Sequence, residues 1–589
     1  MKKQLAVLVA VSLQMASCVT RAEVDRQFDT GSRMDTTSVT PIQVDNLFTL
    51  GKVWGFLKYH HPRAVDGALH WDYELFRVLP RIVGAADAAS ANEALHHWIR
   101  GLGSVPACSW CAEEPVNRPV MPRLGWLSKR ALLGNELTSD LQLIYARRGA
   151  VAEQFYVAIR SGGAGNADFS REAGYPGDAV PDAGYRLLAL YRFWNIVEYW
   201  FPYRDVMQED WDAVLREFIP RLVGALTRDD YELALMALIA RVHDGHANLW
   251  TAARPPRGDC HLPVRVRLIE GQPVVDAYLD RYLGPATGLE IGDVIQTLGG
   301  QSVDALVQSW RPYYGVSHES AYQHQAAATL PRGACGPTPL EVKRLGRSIE
   351  RTVERVPSNS LELAASSGHH HPGAFRRLSD ELAYLELSGA RVHDSSRYVE
   401  RAAGAQCLVL DIRNYPEFVV FSLGQHLVSR ETPFALITEP DPSNPGSFIW
   451  TDPIALTPAA PLFKGRLAIL VDEVSMSRAE YVAMAFRSVP GAIVVGSTTA
   501  GADGNYSALS LPGGLRTGIS GLGVYYPDRR PTQRVGIVPD IVARPTLAGI
   551  RSGEDEVLEV AVKAVLGRTL TAAERAALRP PDPGAPTKH

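Results

Sequence analysis

A set of matched positions at one fixed spacing constrains this chain more than any other feature. Trp54, Tyr59, Pro62, Trp71, Asp72, Leu75, Pro80 and Arg81 return as Trp194, Tyr199, Pro202, Trp211, Asp212, Leu215, Pro220 and Arg221. Val83-Gly84-Ala85, Leu95 and Ile99 return as Val223-Gly224-Ala225, Leu235 and Ile239, all at the same offset with no gap. Chance rarely repeats two tryptophans and two prolines at a single spacing. Apolar residues at i, i+3 and i+4, as in Leu215, Phe218, Ile219 and Leu222, predict helices in both copies. The chain therefore carries a duplicated helical N-terminal region, copy 1 over 46–150 and copy 2 over 186–255. The copies part where copy 2 runs into Asp244-Gly245-His246 and copy 1 has Ser104-Val105-Pro106. One copy reads as scaffold and the other as the bearer of a polar cluster.

The remaining residues are too many for one more core. The chain has 589 residues, and domains usually hold about 100–200. Residues 258–355 alternate as strands do, from Leu262 to Leu268, and turn at Glu270-Gly271. With Gly292-Asp293, Val294, Ile295 and the Gly299-Gly300 turn, this stretch resembles a PDZ domain, although a carboxylate-binding loop is not evident. A polar linker with His369, His370 and His371 follows, and it reads as solvated rather than as a metal site. From 373 to 570 strands and helices alternate. Leu382–Leu387, Leu408–Ile412, Leu467–Val471 and Ile493–Val495 are strands, and a helix over about 478–487 joins the last two. The expected fold class is multidomain α+β.

Composition closes some doors. Hydrophobic residues are 46% and charged residues 21%, as in ordinary globular proteins. The formal net charge is −4 with no long run of one sign, so nothing asks for a nucleic-acid partner. Lys2, Lys3 and the short apolar run Leu5–Leu13 read as an export signal, 1–22, with cleavage after Ala22 or at a lipidated Cys18. The expected location is exported, either periplasmic or lipid-anchored through Cys18 to the cell envelope. Exported chains keep disulfides. Cys108 and Cys111 are read as a local disulfide or two inert thiols, Cys260 and Cys335 as a possible pair, and Cys407 as packing.

The chemistry centres on Ser477. A strand ending at Asp472 leads into Glu473-Val-Ser-Met-Ser-Arg-Ala-Glu480 and an apolar helix. A serine there is either a plain helix cap or a nucleophile placed at free backbone N–H groups. His243 and His246 form HxxH without the zinc-peptidase HExxH pattern or a third ligand, so no metal is assigned. The esterase elbow GxSxG is missed by one place at Gly518-Ile-Ser-Gly521.

Neighbouring motifs weigh against the plain cap. Asp244-Gly-His246, Leu410-Asp-Ile-Arg-Asn414, Ser477-Arg-Ala-Glu480, Val495-Gly-Ser-Thr-Thr-Ala-Gly-Ala-Asp-Gly504 and Gly536-Ile-Val-Pro-Asp-Ile541 occur in that order. Together, from about 186 to the end, they resemble the carboxyl-terminal processing (tail-specific) and tricorn-core serine peptidases. The resemblance implies a crotonase-like α/β peptidase core, with Ser477 as nucleophile and Ser475 as fallback. The lysine base of the tail-specific branch would fall at Ala502, so the resemblance points instead to the tricorn-like histidine, His246. Its orienting partner is open among Gln533, Asp503 and Asp244. The tricorn-like branch has a glutamate in the region of Thr532-Gln533-Arg534. The oxyanion hole would take the backbone N–H of Arg478 and, from the loop after Asn414, that of Tyr415 or Glu417, since Pro416 has none.

Three functions remain in order. The first is an exported serine endopeptidase cutting peptide or unfolded protein segments through a Ser-His acyl-enzyme, with no cofactor. The second is a catalytically weak or inactive peptide-binding module of the same fold. The third is an acyl hydrolase of small esters.

Overall fold

The computed structural model describes residues 25–159, 164–177, 179–361 and 374–578. The export segment with Cys18, Gly162, Gly163, the three histidines at 369–371 and the tail beyond Pro580 lie outside them. No helix among the described residues is long and apolar enough to cross a membrane.

The spacing seen in the sequence returns in the helices. Copy 1 holds Pro41–His60, Trp71–Val83 and Ala88–Gly101; copy 2 holds Ala183–Trp200, Trp211–Val223 and Arg228–Ala240. Local chemistry starts them. Thr40 and Gln43 form a capping box ahead of Pro41, and the Asp182 carboxylate accepts from the Tyr185 N–H. The ends match too: the N–H of Gly84 and that of Gly224 each make the last i→i−4 bond of a helix, at 3.0 Å to the carbonyl of Pro80 or Pro220.

The two copies meet about an approximate two-fold axis, because matched positions face each other. A Cβ on Gly51 would lie 2.6 Å from the Tyr191 ring, and one on Gly55 1.8 Å from the Asn195 amide. Tyr59 and Tyr199 pack edge to face at 5.4 Å. Lys52 of copy 1 holds Asp212 of copy 2 at 2.7 Å, and Arg192 of copy 2 holds Asp72 of copy 1 at 2.7 Å. Within each copy two indoles bond reciprocally: Trp54 and Trp71 each donate to the other's carbonyl, as do Trp194 and Trp211. The repeated tryptophans are thus the fasteners of a repeated helix pair.

Residues 260–357 form an antiparallel sheet. Its strands run in the order Val264–Ile269, Gln272–Tyr278, Val294–Leu298, Gly336–Arg344, Arg347–Pro357, with Cys260–His261 and Arg332–Gly333 beyond. Cys260 and Cys335 are bonded, with Cα atoms 4.9 Å apart, and Cys108 is bonded to Cys111. Cys407 is free and buried, and burial pushes its thiol up to about 12.

The last 200 residues build a six-stranded sheet. Phe375–Arg377 joins it antiparallel; Leu382–Glu386, Cys407–Asp411, Arg466–Val471, Ile493–Gly496 and Ile541–Val542 run parallel. Both faces are covered, one by the helices Ser395–Ala402 and Arg478–Arg487, the other by Glu556–Leu566. That explains the uninterrupted apolar strands read in the sequence. The hairpin Tyr506–Leu511/Leu515–Ser520 leaves this sheet and buries Leu509, Leu511, Leu515 and Ile519 in the core of the helical region. It brings the end of copy 2 against the carboxyl ends of the parallel strands.

Candidate active site

Ser477 stands between the strand Arg466–Val471 and the helix Arg478–Arg487. Its backbone has φ 58° and ψ −118°, a conformation that costs a non-glycine residue roughly 1–3 kcal/mol. A plain cap has no need of it. The strain is held by bonds on the Ser477 N–H, which donates to the Ala502 carbonyl at 3.0 Å and to Glu480 Oε2 at 3.1 Å. Glu480 is fully buried. It also accepts from the Gly501 N–H at 2.8 Å, the Ala502 N–H at 2.9 Å and the Thr499 hydroxyl. One carboxylate therefore ties the turn before the helix to the loop 499–502.

The His246 loop docks on the same loop. A Cβ on Gly245 would lie 2.8 Å from the Ala502 Cβ and 3.1 Å from the Met476 Sδ. Only glycine allows that approach, which puts Asp244-Gly-His246 beside the residue preceding Ser477. Among the described residues, Ser477 and His246 are not hydrogen-bonded to each other; such contacts are often long before substrate binds.

His246 is oriented through Ser520. His246 Nδ1 lies 2.9 Å from Ser520 Oγ, which lies 3.0 Å from Asp244 Oδ1. Asp244 accepts also from the Ser520 N–H at 2.7 Å, the His246 N–H at 3.1 Å and Gln533 Nε2 at 3.3 Å. A hydroxyl has one proton. If it goes to Asp244, Ser520 must accept from Nδ1–H, leaving Nε2 with its lone pair. The Asp244 carboxylate stands 3.7 Å from Nδ1, near enough to balance an imidazolium. Burial works to raise the Asp244 acid, but its bonds to His246 and Ser520 outweigh it and hold the carboxyl below its usual range.

The three orienting candidates fall in different places. Asp244 is buried under His246. Gln533 bonds Asp244 rather than the imidazole. Asp503 makes no hydrogen bond to His246; its Oδ1 accepts from the Gly504 N–H at 2.8 Å. Ser520 was missed by the sequence reading. Its only signal was the near-elbow Gly518–Gly521, which said nothing of a partner 274 residues away. His243 is satisfied by Glu209 at 3.0 Å.

The Arg478 N–H is the first of the helix, where no intrahelical acceptor exists. The Tyr415 loop is held beside it: Arg478 Nη1 donates to the Pro416 carbonyl at 3.2 Å, and its guanidinium lies 5.0 Å from the Tyr415 ring centre. The Glu417 N–H is spent on the Leu387 carbonyl at 2.9 Å, so of the two donors expected in this loop only that of Tyr415 is left.

A family model described as peptidase family S41 matches residues 431–543, which include Ser477, Glu480, Asp503, Ser520 and Gln533. Two solved structures share the fold: mature CPAF complexed with lactacystin and mature CPAF alone. Both are 13% identical with a TM-score of 0.52 over 65% of this chain, and cover 99% and 98% of their own chains. A photosystem II D1 C-terminal processing protease, 17% identical, aligns over 63% of this chain and 98% of its own with a TM-score of 0.39. No curated protein matches the chain.

Proposed function

We propose, for a chain that belongs to peptidase family S41 and is a serine-type peptidase, that Ser477 is the nucleophile and His246 the general base of an exported endopeptidase acting on peptide or unfolded protein segments. The reading rests above all on the strained Ser477 turn, held by Glu480 against the loop on which Gly245 docks. Strain at a single serine beside a histidine with a polar second partner has no use in a cap and a clear use in attack.

The steps follow from the arrangement. His246 Nε2 takes the Ser477 hydroxyl proton as Oγ bonds the scissile carbonyl carbon. The oxyanion forms at the N–H groups of Arg478 and Tyr415. The imidazolium, balanced by Asp244 through Ser520, gives its proton to the leaving amine as the C–N bond breaks. Water then attacks the ester carbonyl carbon and loses a proton to His246, which passes it to Ser477 Oγ as the C–O bond breaks and the new carboxyl group is released. The antiparallel sheet at 260–357 serves in this reading as a PDZ-like peptide binder beside a crotonase-like core.

The test is labelling of the folded protein, residues 23–589, by a fluorophosphonate. Ser477→Ala and His246→Ala are expected to lose the label, and Ser475→Ala to keep it. A folded wild type that takes no label would sink the Ser-His mechanism.

A further inference from the structure

A cavity of about 280 Å³ opens at Ser477 and Arg478. Its walls include Phe418, Ile437, Tyr481, Leu522 and Val524. Phe418 and Tyr481 stack with ring centres 6.5 Å apart. Asp503 also lines it, and is out of place in such company. The residue is 3% exposed. Its Oδ1 accepts from the Gly504 N–H, and its Oδ2 has no hydrogen-bond partner among the described residues. An unpartnered buried carboxyl oxygen costs free energy unless a ligand meets it.

We propose that Asp503 is the selecting group of the pocket for the side chain on the acyl side of the scissile bond, and that it favours a neutral side chain ending in a hydroxyl, tyrosine foremost. The inference rests on Ser477 being the nucleophile. With the carbonyl carbon at Ser477 and its oxygen toward the Arg478 N–H, the adjoining side chain enters the cavity these two residues border. An aromatic ring fits walls that are aromatic and branched apolar. Its hydroxyl would be met by Asp503, whose Oδ2 is buried and has no hydrogen-bond partner among the described residues. A lysine there would need the Asp503 proton removed, and the surroundings oppose that: burial and the charge of Glu480 raise the Asp503 acid well above its usual range. A neutral carboxyl group in an apolar site is a hydrogen-bonding group rather than an anion. A glutamate would meet the Glu480 charge. A site built to bond a hydroxyl also discriminates against the analogue that lacks it.

The experiment uses peptidyl diphenyl phosphonates bearing the side chain of tyrosine, phenylalanine or lysine. Each traps the nucleophile, and the second-order rate of Ser477 modification is read by intact mass. Wild type is expected to react about 10-fold faster with the tyrosine probe than with the phenylalanine probe, and slowest with lysine. Asp503→Asn, which keeps a neutral hydrogen-bonding group, is expected to retain the preference. Asp503→Leu is expected to bring the tyrosine-to-phenylalanine ratio near one. Rapid reaction of wild type with a ratio near one, or with lysine fastest, overturns the inference and leaves the Ser477 mechanism standing. Loss of the preference in a folded Asp503→Asn also overturns it. No reaction of wild type with any probe overturns the mechanism and the inference together. The wild-type ranking decides the matter even if Asp503→Leu fails to fold.

Discussion

In the proposed mechanism a single hydroxyl, that of Ser520, decides which nitrogen of His246 acts. It stands between Nδ1 and Asp244, and among the described residues no other side chain is hydrogen-bonded to that nitrogen. Ser520→Ala leaves Asp244 in place but removes the bridge, so Nδ1 is free to give up its proton and the ring to turn. Peptide hydrolysis by this variant is expected to fall about 100-fold in kcat with little change in KM, as loss of general-base positioning does. An unchanged kcat would mean that Asp244 orients the ring directly. At this scale the sequence was readable where the chemistry is local. Ser477, Arg478 and Glu480 lie within one turn, and Asp244 and His246 within three residues. It was unreadable for Ser520, because a hydrogen bond between distant strand and loop leaves no spacing to detect. Asp503 was visible as a polar residue in a motif, but its role depends on which side of the nucleophile its side chain faces.

Among elements, the duplicated helices give a natural control on the value of a buried charge. Asp72 and Asp212 occupy matched positions and each holds a cation of the other copy. Their surroundings differ: the Asp72 side chain is 3% exposed and that of Asp212 50%. Asp72 also accepts from the Tyr175 hydroxyl at 2.7 Å. Asp72→Asn leaves Arg192 buried and under-compensated, and is expected to cost about 3–5 kcal/mol in urea unfolding. Asp212→Asn is expected to cost less than about 1 kcal/mol. Equal losses would show that burial does not set the difference. The repeat itself was plain in the sequence because tryptophan and proline are rare and the spacing never slips. That the copies embrace one another was not, since Gly51 against Tyr191 and Gly55 against Asn195 are matched positions with unlike residues.

Across the whole molecule, the antiparallel sheet region reaches the Ser477 turn through polar contacts. Arg267 lies 3.8 Å from Asp472, His324 lies 3.4 Å from Glu473, and His318 Nε2 lies 2.9 Å from the Thr499 carbonyl. Asp472 in turn accepts from the N–H groups of Val474 and Ser475. Burial raises the Asp472 acid to about 6, against the pull of Arg267. The folded value lies above the unfolded one, so the ionised group destabilises the fold at higher pH and the cost fades as pH falls from about 6 toward 4. Asp472→Asn keeps an acceptor for the turn and removes the charge. It is expected to be more stable than wild type at pH 8, by up to about 3 kcal/mol, with the difference gone by pH 4. A difference independent of pH, followed by urea unfolding at pH 8, 6 and 4, would rule out this account.

The approximate two-fold axis in the helical region has a consequence for how the molecule behaves when scarce. Two separate subunits joined by the same surfaces would drift apart as they were diluted, and the His246 loop would lose its backing. Here the halves share a chain, so the second meets the first at an effective concentration set by the connecting segment rather than by the surroundings. The half that carries His246 therefore never waits for its twin, and dilution does not separate the two.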